Sequence, residues 1–311
     1  MGKGLHDQFT VARETFAEVD ATLGFSLSGL MFEGEMAELT QTQNAQPAIL
    51  ATSVALFRAL AQERNFQVAE RGAFALGHSL GEYSALVATG ALSLADAVRL
   101  VRRRGEAMQE SINDLSKPTT MTALMLRGTS VEALRTHLSG IQPHLPEGET
   151  AELANINSAQ QVVLSGTEAG VGAAVQELQA RQVAARAIDL PVSAPFHCSL
   201  MQPAAEVMAS ALTRVRVGAP CVPLISNVRA RPVTTPNDIV DLLVRQVTGT
   251  VLWAPSVEFC RGQGVENFIV FGPGKVLANL LRREHPRDKI KMVSELEDVL
   301  NFTDDLYDGS K

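Results

Sequence analysis

The sequence predicts an α/β protein into which a smaller ferredoxin-like unit is inserted, and three observations carry that reading. A short apolar run at residues 73–76 leads directly into Gly77-His78-Ser79-Leu80-Gly81 and a helix-like stretch at 82–87, which is the order strand, sharp turn, helix. Residues 121–192 run β-α-β-β-α-β in roughly 70 positions, the ferredoxin-like arrangement. After residue 200, helical and strand-like patterns alternate again. The expected division is a large α/β unit made of residues 1–118 and 194–311, interrupted by a small ferredoxin-like unit at 119–193.

Each element has its own signal. In the first stretch Val11, Phe16, Val19 and Leu23 fall near helical spacing, and residues 44–60 read as an apolar helix with Pro47 in its first turns. A further helix is expected over 94–108, after the break at Gly90. In the inserted unit, 121–126 is an apolar strand and 131–138 a helix. Residues 153–156 and 162–164 form a strand pair, 171–179 a helix and 183–190 a strand. Pro143, Pro146 and Gly148 mark a loop within it, and Pro191 and Pro195 close it. Beyond it, 204–212 and 239–247 are helical and 222–225 and 268–271 strand-like. Gly272-Pro273-Gly274 turns into a last helix over 276–283, and the polar tail from residue 303 is expected to be loose.

Composition bounds the function. With 311 residues, 46% of them hydrophobic, the chain can bury a sizeable core. A net charge of −7 speaks against nucleic acid as the main partner, because binding phosphates takes a basic surface. The three cysteines, Cys198, Cys221 and Cys260, form no CxxC pair, which fits a reducing compartment and argues against structural zinc. No apolar run reaches membrane-spanning length, so no membrane association is expected. The first sixteen residues have neither a signal-peptide core nor transit-peptide character. The expected location is the cytoplasm or the mitochondrial matrix.

The chemistry centres on Ser79. Residues 77–81 fit G-x-S-x-G, the nucleophile elbow, in which glycine on both sides is expected to admit a turn too tight for side chains. The serine would stand at the N-terminus of the following helix, where N–H groups favour an oxyanion. A serine needs a base. His6, His137, His144 and His285 lie in polar stretches and read as solvated, and His78 should point away from Ser79. His197, at the junction that follows the inserted unit, is the candidate base. The alternative for it is a helix-start histidine satisfying backbone groups. Asp189, Glu206 and Asp241 are unremarkable as a third member, and a Ser–His dyad oriented by a backbone carbonyl would suffice.

Two further polar residues fall beside apolar stripes. Arg102, Arg103 and Arg104 are consecutive and cannot share one helix face; Arg104 is the one set between Leu100 and Met108 at i±4 spacing. It is either a snorkelling or salt-bridged arginine, or a bidentate clamp for a substrate carboxylate. Gln246 follows Ile239, Leu242 and Leu243 on the inward face of its helix, as a core polar residue or as part of a polar site.

Taken together the motifs resemble the malonyl/acyl transferase family of fatty acid and polyketide synthesis. The matching pieces are Gly77-His78-Ser79-Leu80-Gly81-Glu82-Tyr83-Ser84-Ala85 and Arg104-Gly105-Glu106-Ala107-Met108-Gln109. Further along are Asn155-Ile156-Asn157-Ser158 with Gln161-Val162-Val163, Pro195-Phe196-His197-Cys198-Ser199-Leu200-Met201, and Gly272-Pro273-Gly274-Lys275-Val276-Leu277. The resemblance implies a hydrolase-like core with a parallel sheet flanked by helices, plus the ferredoxin-like insertion. It implies that Ser79 carries the acyl group, His197 is its base, the backbone carbonyl of Gln246 orients His197, and the N–H of Leu80 is an oxyanion donor. Arg104 would grip the free carboxylate of a malonyl group, and Phe196 would mark malonyl selectivity. His78 and Asn157, inside the matched segments, join the expected substrate-binding positions. Malonyl-CoA and acyl carrier protein would be the substrates, with no cofactor or metal and a monomeric chain. An acidic carrier needs basic residues to dock on. Lys275, Arg282, Arg283, Arg287, Lys289 and Lys291 could supply them or could simply form a solvated face.

The match begins just after a family segment, Gly-Gln-Gly-Ser-Gln, that ends a first buried strand and supplies a second oxyanion donor. The resemblance therefore implies weak turnover by the chain as it stands. A serine esterase with the same elbow and an inactive remnant remain alternatives at this stage.

Overall fold

The computed structural model describes residues 1–113 and 115–303. The expected loose tail lies outside the described residues, apart from Thr303 itself. The chain starts with α1 (Lys3–Gln8), α2 (Thr10–Leu23), α3 (Leu27–Glu33), α4 (Met36–Leu39), α5 (Thr42–Arg64) and α6 (Val68–Arg71). It continues through the elbow into α7 (Gly81–Ala88) and α8 (Leu94–Asn113). The inserted unit follows as β1 (Thr119–Leu126), α9 (Val131–Ile141), β2 (Ala151–Ile156), β3 (Gln161–Thr167), α10 (Glu168–Ala180) and β4 (Ala184–Asp189). The last part holds α11 (Gln202–Leu212), β5 (Leu224–Ile225), β6 (Pro232–Val233), α12 (Pro236–Thr248) and α13 (Trp253–Gly262). It ends with β7 (Asn267–Phe271), α14 (Val276–Glu284), β8 (Lys289–Val293) and α15 (Leu296–Leu300).

The inserted unit is an antiparallel sheet in the order β2-β3-β1-β4. One face buries Leu124, Leu153, Val162 and Leu164 against Leu134 and Leu138 of α9 and Val171, Ala174 and Leu178 of α10. Each Leu or Val side chain so removed from water contributes about 1.5–3 kcal/mol. The other face, with Met121, Ala123, Ala154 and Val163, packs on Phe196. The β2 edge is pinned to the chain beyond α12: Ile156 N donates to Val251 O at 2.9 Å and Val251 N to Ala154 O at 2.8 Å.

The large part is dominated by helices. α5 and α8 cross so closely that a Cβ on Gly105 would come within 2.6 Å of the Gln43 Cα, so only glycine fits there. Pro47 cannot donate to the Gln43 carbonyl four residues earlier. Arg102 Nη1 donates to that carbonyl instead, at 3.1 Å, which welds the crossing. The three consecutive arginines separate as their helical phase requires. Arg102 pairs with Glu106 and Arg103 with Glu110 on the partly exposed side, while Arg104 is 2% exposed.

Parallel pairing in the core is sparser than the sequence suggests. β7 and β8 pair in parallel over five residues, and the expected strand at 73–76 contributes only an isolated parallel bridge, Ala75 to Leu224. A cavity of about 580 Å³ lies between that segment, α5 and β7, and among the described residues neither facing edge has a ladder partner there. The strand expected over 222–225 shortens to the two residues of β5. Among the described residues no helix is long and apolar enough to cross a membrane.

Candidate active site

The elbow projects Ser79 at the start of α7. Its φ of 52° places a non-glycine residue in the left-handed region, a conformation that costs on the order of 1–3 kcal/mol and needs support. Asn227 supplies it: Ser79 N donates to Asn227 Oδ1 at 2.7 Å, and Asn227 Nδ2 donates to Gly77 O at 2.6 Å. Gly77 is obligatory, because a Cβ there would meet the backbone carbonyl of Gly81 at 2.1 Å. Gly81 corrects the expectation of glycine on both sides, since a Cβ at that position would meet nothing within 4 Å. Gly81, Glu82 and Tyr83 N–H groups donate to His78, Ser79 and Leu80 carbonyls, whereas the Leu80 N–H has no acceptor among the described residues and stands at the positive end of α7.

His197 is 3% exposed, and its Nε2 lies 2.7 Å from Ser79 Oγ. Its Nδ1 is 2.8 Å from the Gln246 carbonyl, an acceptor, so Nδ1 carries the proton and Nε2 is left to accept from the serine hydroxyl. Burial, and then the neighbouring Arg104 charge, depress the imidazole to about 3. It is therefore neutral over the physiological range, as a base must be. Asp189 accepts from Thr122 and Asp241 pairs with Arg245; neither approaches His197, nor does Glu206, which accepts from Gln202.

Arg104 reaches the same point from α8. Nη2 donates to Ser79 Oγ at 3.1 Å and to Gln246 Oε1 at 3.0 Å, and Nη1 donates to Gln46 Oε1 at 2.8 Å. Its Nε is buried without a partner. Burial lowers the proton affinity of the guanidinium, which stays cationic all the same. A buried cation with an unused donor, beside a serine hydroxyl, is arranged to receive an anionic group.

Ser79, His197, Arg104 and Gln246 thus form one hydrogen-bonded cluster. His78 does point away from Ser79: its Nε2 is 3.0 Å from Asn157 Oδ1 at the turn of the small sheet, and its ring lies 5.9 Å from that of Trp253. Burial holds His78 below the usual histidine range, the Asn157 bond opposing this. Phe196 is half-buried at the seam between the large core and the inner face of the small sheet. His285, expected to be solvated, instead has a side chain only 10% exposed and lies 3.5 Å from Glu258.

Three residues of the cluster escaped sequence reasoning: Gln46, Asn227 and Glu82. Gln46 left one signal, a polar residue at the head of the apolar run 47–51, and it is 5% exposed. Glu82 sits next to the elbow motif, 1% exposed. Asn227 carried no local signal, because its role arises from contacts about 150 residues away in sequence. Among the described residues no group of three or more His, Cys, Asp or Glu could hold a metal ion.

A strained serine, a neutral buried histidine tied to a backbone carbonyl, and a free N–H at a helix start define a serine-dependent acyl-transferring enzyme. The chain belongs to the acyl transferase domain family, whose model matches residues 1–290. It is 42% identical over 299 residues to the malonyl CoA-acyl carrier protein transacylase of Bacillus subtilis strain 168, covering 96% of this chain and 90% of that protein. The crystal structure of an acyl-carrier-protein S-malonyltransferase from Bartonella henselae superposes with a TM-score of 0.88 at 43% identity, covering 96% of this chain and 92% of that one. A malonyl-transacylase solved in complex with a type II PKS acyl-carrier protein superposes at 0.86 with 35% identity, covering 96% and 93%. With these neighbours, the α/β core with its ferredoxin-like insertion is the fold of the acyltransferases.

Proposed function

We propose that the chain transfers a malonyl group from malonyl-CoA to the phosphopantetheine thiol of an acyl carrier protein, through a malonyl-serine at Ser79. The observation that carries the reading is the Arg104 guanidinium 3.1 Å from Ser79 Oγ, buried and with Nε unpartnered. A neutral acyl chain needs no such cation; a carboxylate two bonds from the reacting carbonyl does. The named activity of the relatives supports the same substrate pair.

In the first half-reaction Ser79 Oγ bonds to the thioester carbonyl carbon while its proton passes to His197 Nε2. The Leu80 N–H faces the developing oxyanion. The carbon–sulfur bond breaks, and the coenzyme A sulfur takes the proton back from His197. In the second half the carrier thiol gives its proton to His197 and attacks the acyl-serine, and Ser79 leaves with that proton. The kinetics are therefore ping-pong. Arg104 holds the acyl group in one pose throughout, which favours the second thiol over water.

We take residues 1–118 and 194–311 as the catalytic unit and 119–193 as the small unit, whose Asn157 and inner face close the site over His78 and Phe196. The cations of α14 and β8 are the proposed landing area for an acidic carrier. Intact-mass analysis after exposure to malonyl-CoA tests the reading. One malonyl adduct is expected on the chain and none on Ser79→Ala, with the variant still folded. An adduct on Ser79→Ala would place the nucleophile elsewhere.

A further inference from the structure

Among the described residues, Glu82 is the only carboxylate residue and Arg104 the only cationic residue that are buried as whole residues. They do not touch each other. The Gln246 side-chain amide stands between them: Nε2 donates to Glu82 Oε2 at 2.7 Å and to Ser79 O at 3.0 Å, and Oε1 accepts from Arg104 Nη2 at 3.0 Å. The amide has one satisfactory orientation. Rotated by half a turn, Nε2 would face the guanidinium donors and Oε1 would face a carboxylate and a carbonyl, and three buried contacts would be lost. The same residue's backbone carbonyl holds His197.

We propose that Glu82 is a positioning residue for acyl selectivity: its carboxyl oxygen locks the Gln246 amide, and the locked amide aims the Arg104 guanidinium at the acyl carboxylate. The inference rests on the reading of Arg104 as the carboxylate clamp. Burial pushes the Glu82 carboxyl up to about 7, with the bonds from Gln246 and Asn227 and the Arg104 charge opposing the rise. Both protonation states offer Gln246 Nε2 an acceptor, so the lock works through geometry rather than through charge alone. Glu82 Oε2 also receives the Asn227 N–H at 3.4 Å, which ties the lock to the residue that supports the elbow. The arginine is restrained on its other side by Gln46, so freeing Gln246 lets one of two restraints go.

The test compares single-turnover acylation by malonyl-CoA and acetyl-CoA for the full chain and five variants. Glu82→Ala is expected to lower the malonyl-over-acetyl preference about tenfold, mainly through a weaker apparent affinity for malonyl-CoA. Glu82→Gln keeps an acceptor oxygen at the same reach and retains most of the preference. Gln246→Met removes the amide but keeps the backbone carbonyl, and so should lose the preference as Glu82→Ala does. The double variant Glu82→Ala/Gln246→Met should be no worse than Gln246→Met alone, because the two act through one path. If Glu82→Ala does not accumulate as folded protein, Glu82→Gln and Gln246→Met carry the comparison. Equal loss of malonyl and acetyl transfer in Glu82→Ala, or a Glu82→Gln that loses as much preference as Gln246→Met, overturns the proposal. Arg104→Ala run in parallel separates the two readings. If it keeps the malonyl preference, the clamp itself is wrong; if it loses the preference while Gln246→Met does not, only the lock is wrong.

Discussion

At the scale of single residues, Phe196 is the side chain next to the reacting groups whose size can be changed without touching a proton path. It precedes His197 and is half-buried at the seam between the large core and the inner face of the small sheet. A ring there should clash with an α-methyl on the acyl group. Phe196→Ser is therefore expected to shift selectivity toward methylmalonyl-CoA by about 1–3 kcal/mol, the usual worth of one methyl group. Competition between methylmalonyl-CoA and malonyl-CoA for the same chain measures it, and an unchanged ratio would remove Phe196 from the specificity account. His197 illustrates how the surroundings set a residue's chemistry. Its φ of 60° is set by the loop that leaves the small unit and its carbonyl partner, Gln246, comes from α12, so neither is written in the histidine itself.

At the scale of elements, the elbow's two glycines make opposite predictions. Gly77→Ala drives a Cβ into the α7 backbone and should cost more than about 3 kcal/mol or abolish folding. Gly81→Ala opens α7 with a better helix former in free space and should be neutral or stabilising by up to about 1 kcal/mol, with acylation retained. Thermal unfolding of both variants checks the pair. The motif alone treats the two glycines alike, and only the path of the following backbone separates them. Other elements were legible for plain reasons. The inserted unit shows six runs of clear period in the right order, and the phase of α8 singles out Arg104 from its neighbours. β5 and β6 are two residues each, too short to carry any period, and β8 is a charged edge, Lys289-Ile290-Lys291, that looks like loop. α13 opens with Trp253-Ala254-Pro255, where the proline obscures a helix start although the first turn tolerates it. The Asn227 side chain supports the elbow from about 150 residues away, so no window of sequence contains its reason.

At the scale of the whole molecule, two of the buried titrating groups of the site, Glu82 and His197, pull stability in opposite directions. Glu82 rises from 4.5 to about 7, so between those values the folded chain keeps a proton that the unfolded chain releases, and this contribution falls as pH rises. His197 drops from 6.5 to about 3, so the unfolded chain binds the proton instead and the contribution rises with pH. Each slope approaches about 1.4 kcal/mol per pH unit, and the two cancel between the unfolded carboxyl value and the unfolded imidazole value. Removing one exposes the other. Urea unfolding of Glu82→Gln should show stability climbing relative to the unsubstituted chain by about 2 kcal/mol from pH 5 to pH 6.5. Parallel curves for the two proteins would mean that Glu82 does not titrate in that window.

In the proposed mechanism one serine carries the acyl group between two thiols. A chase experiment tests it most directly. The chain is loaded with isotopically labelled malonyl-CoA, freed of excess, and mixed with a holo acyl carrier protein, and samples are quenched over time for peptide and intact-mass analysis. Label is expected on the Ser79 peptide before the carrier is added, then its loss matched by an equal gain on the carrier thiol. Label reaching the carrier only while malonyl-CoA is still present, with none found on Ser79, would contradict it.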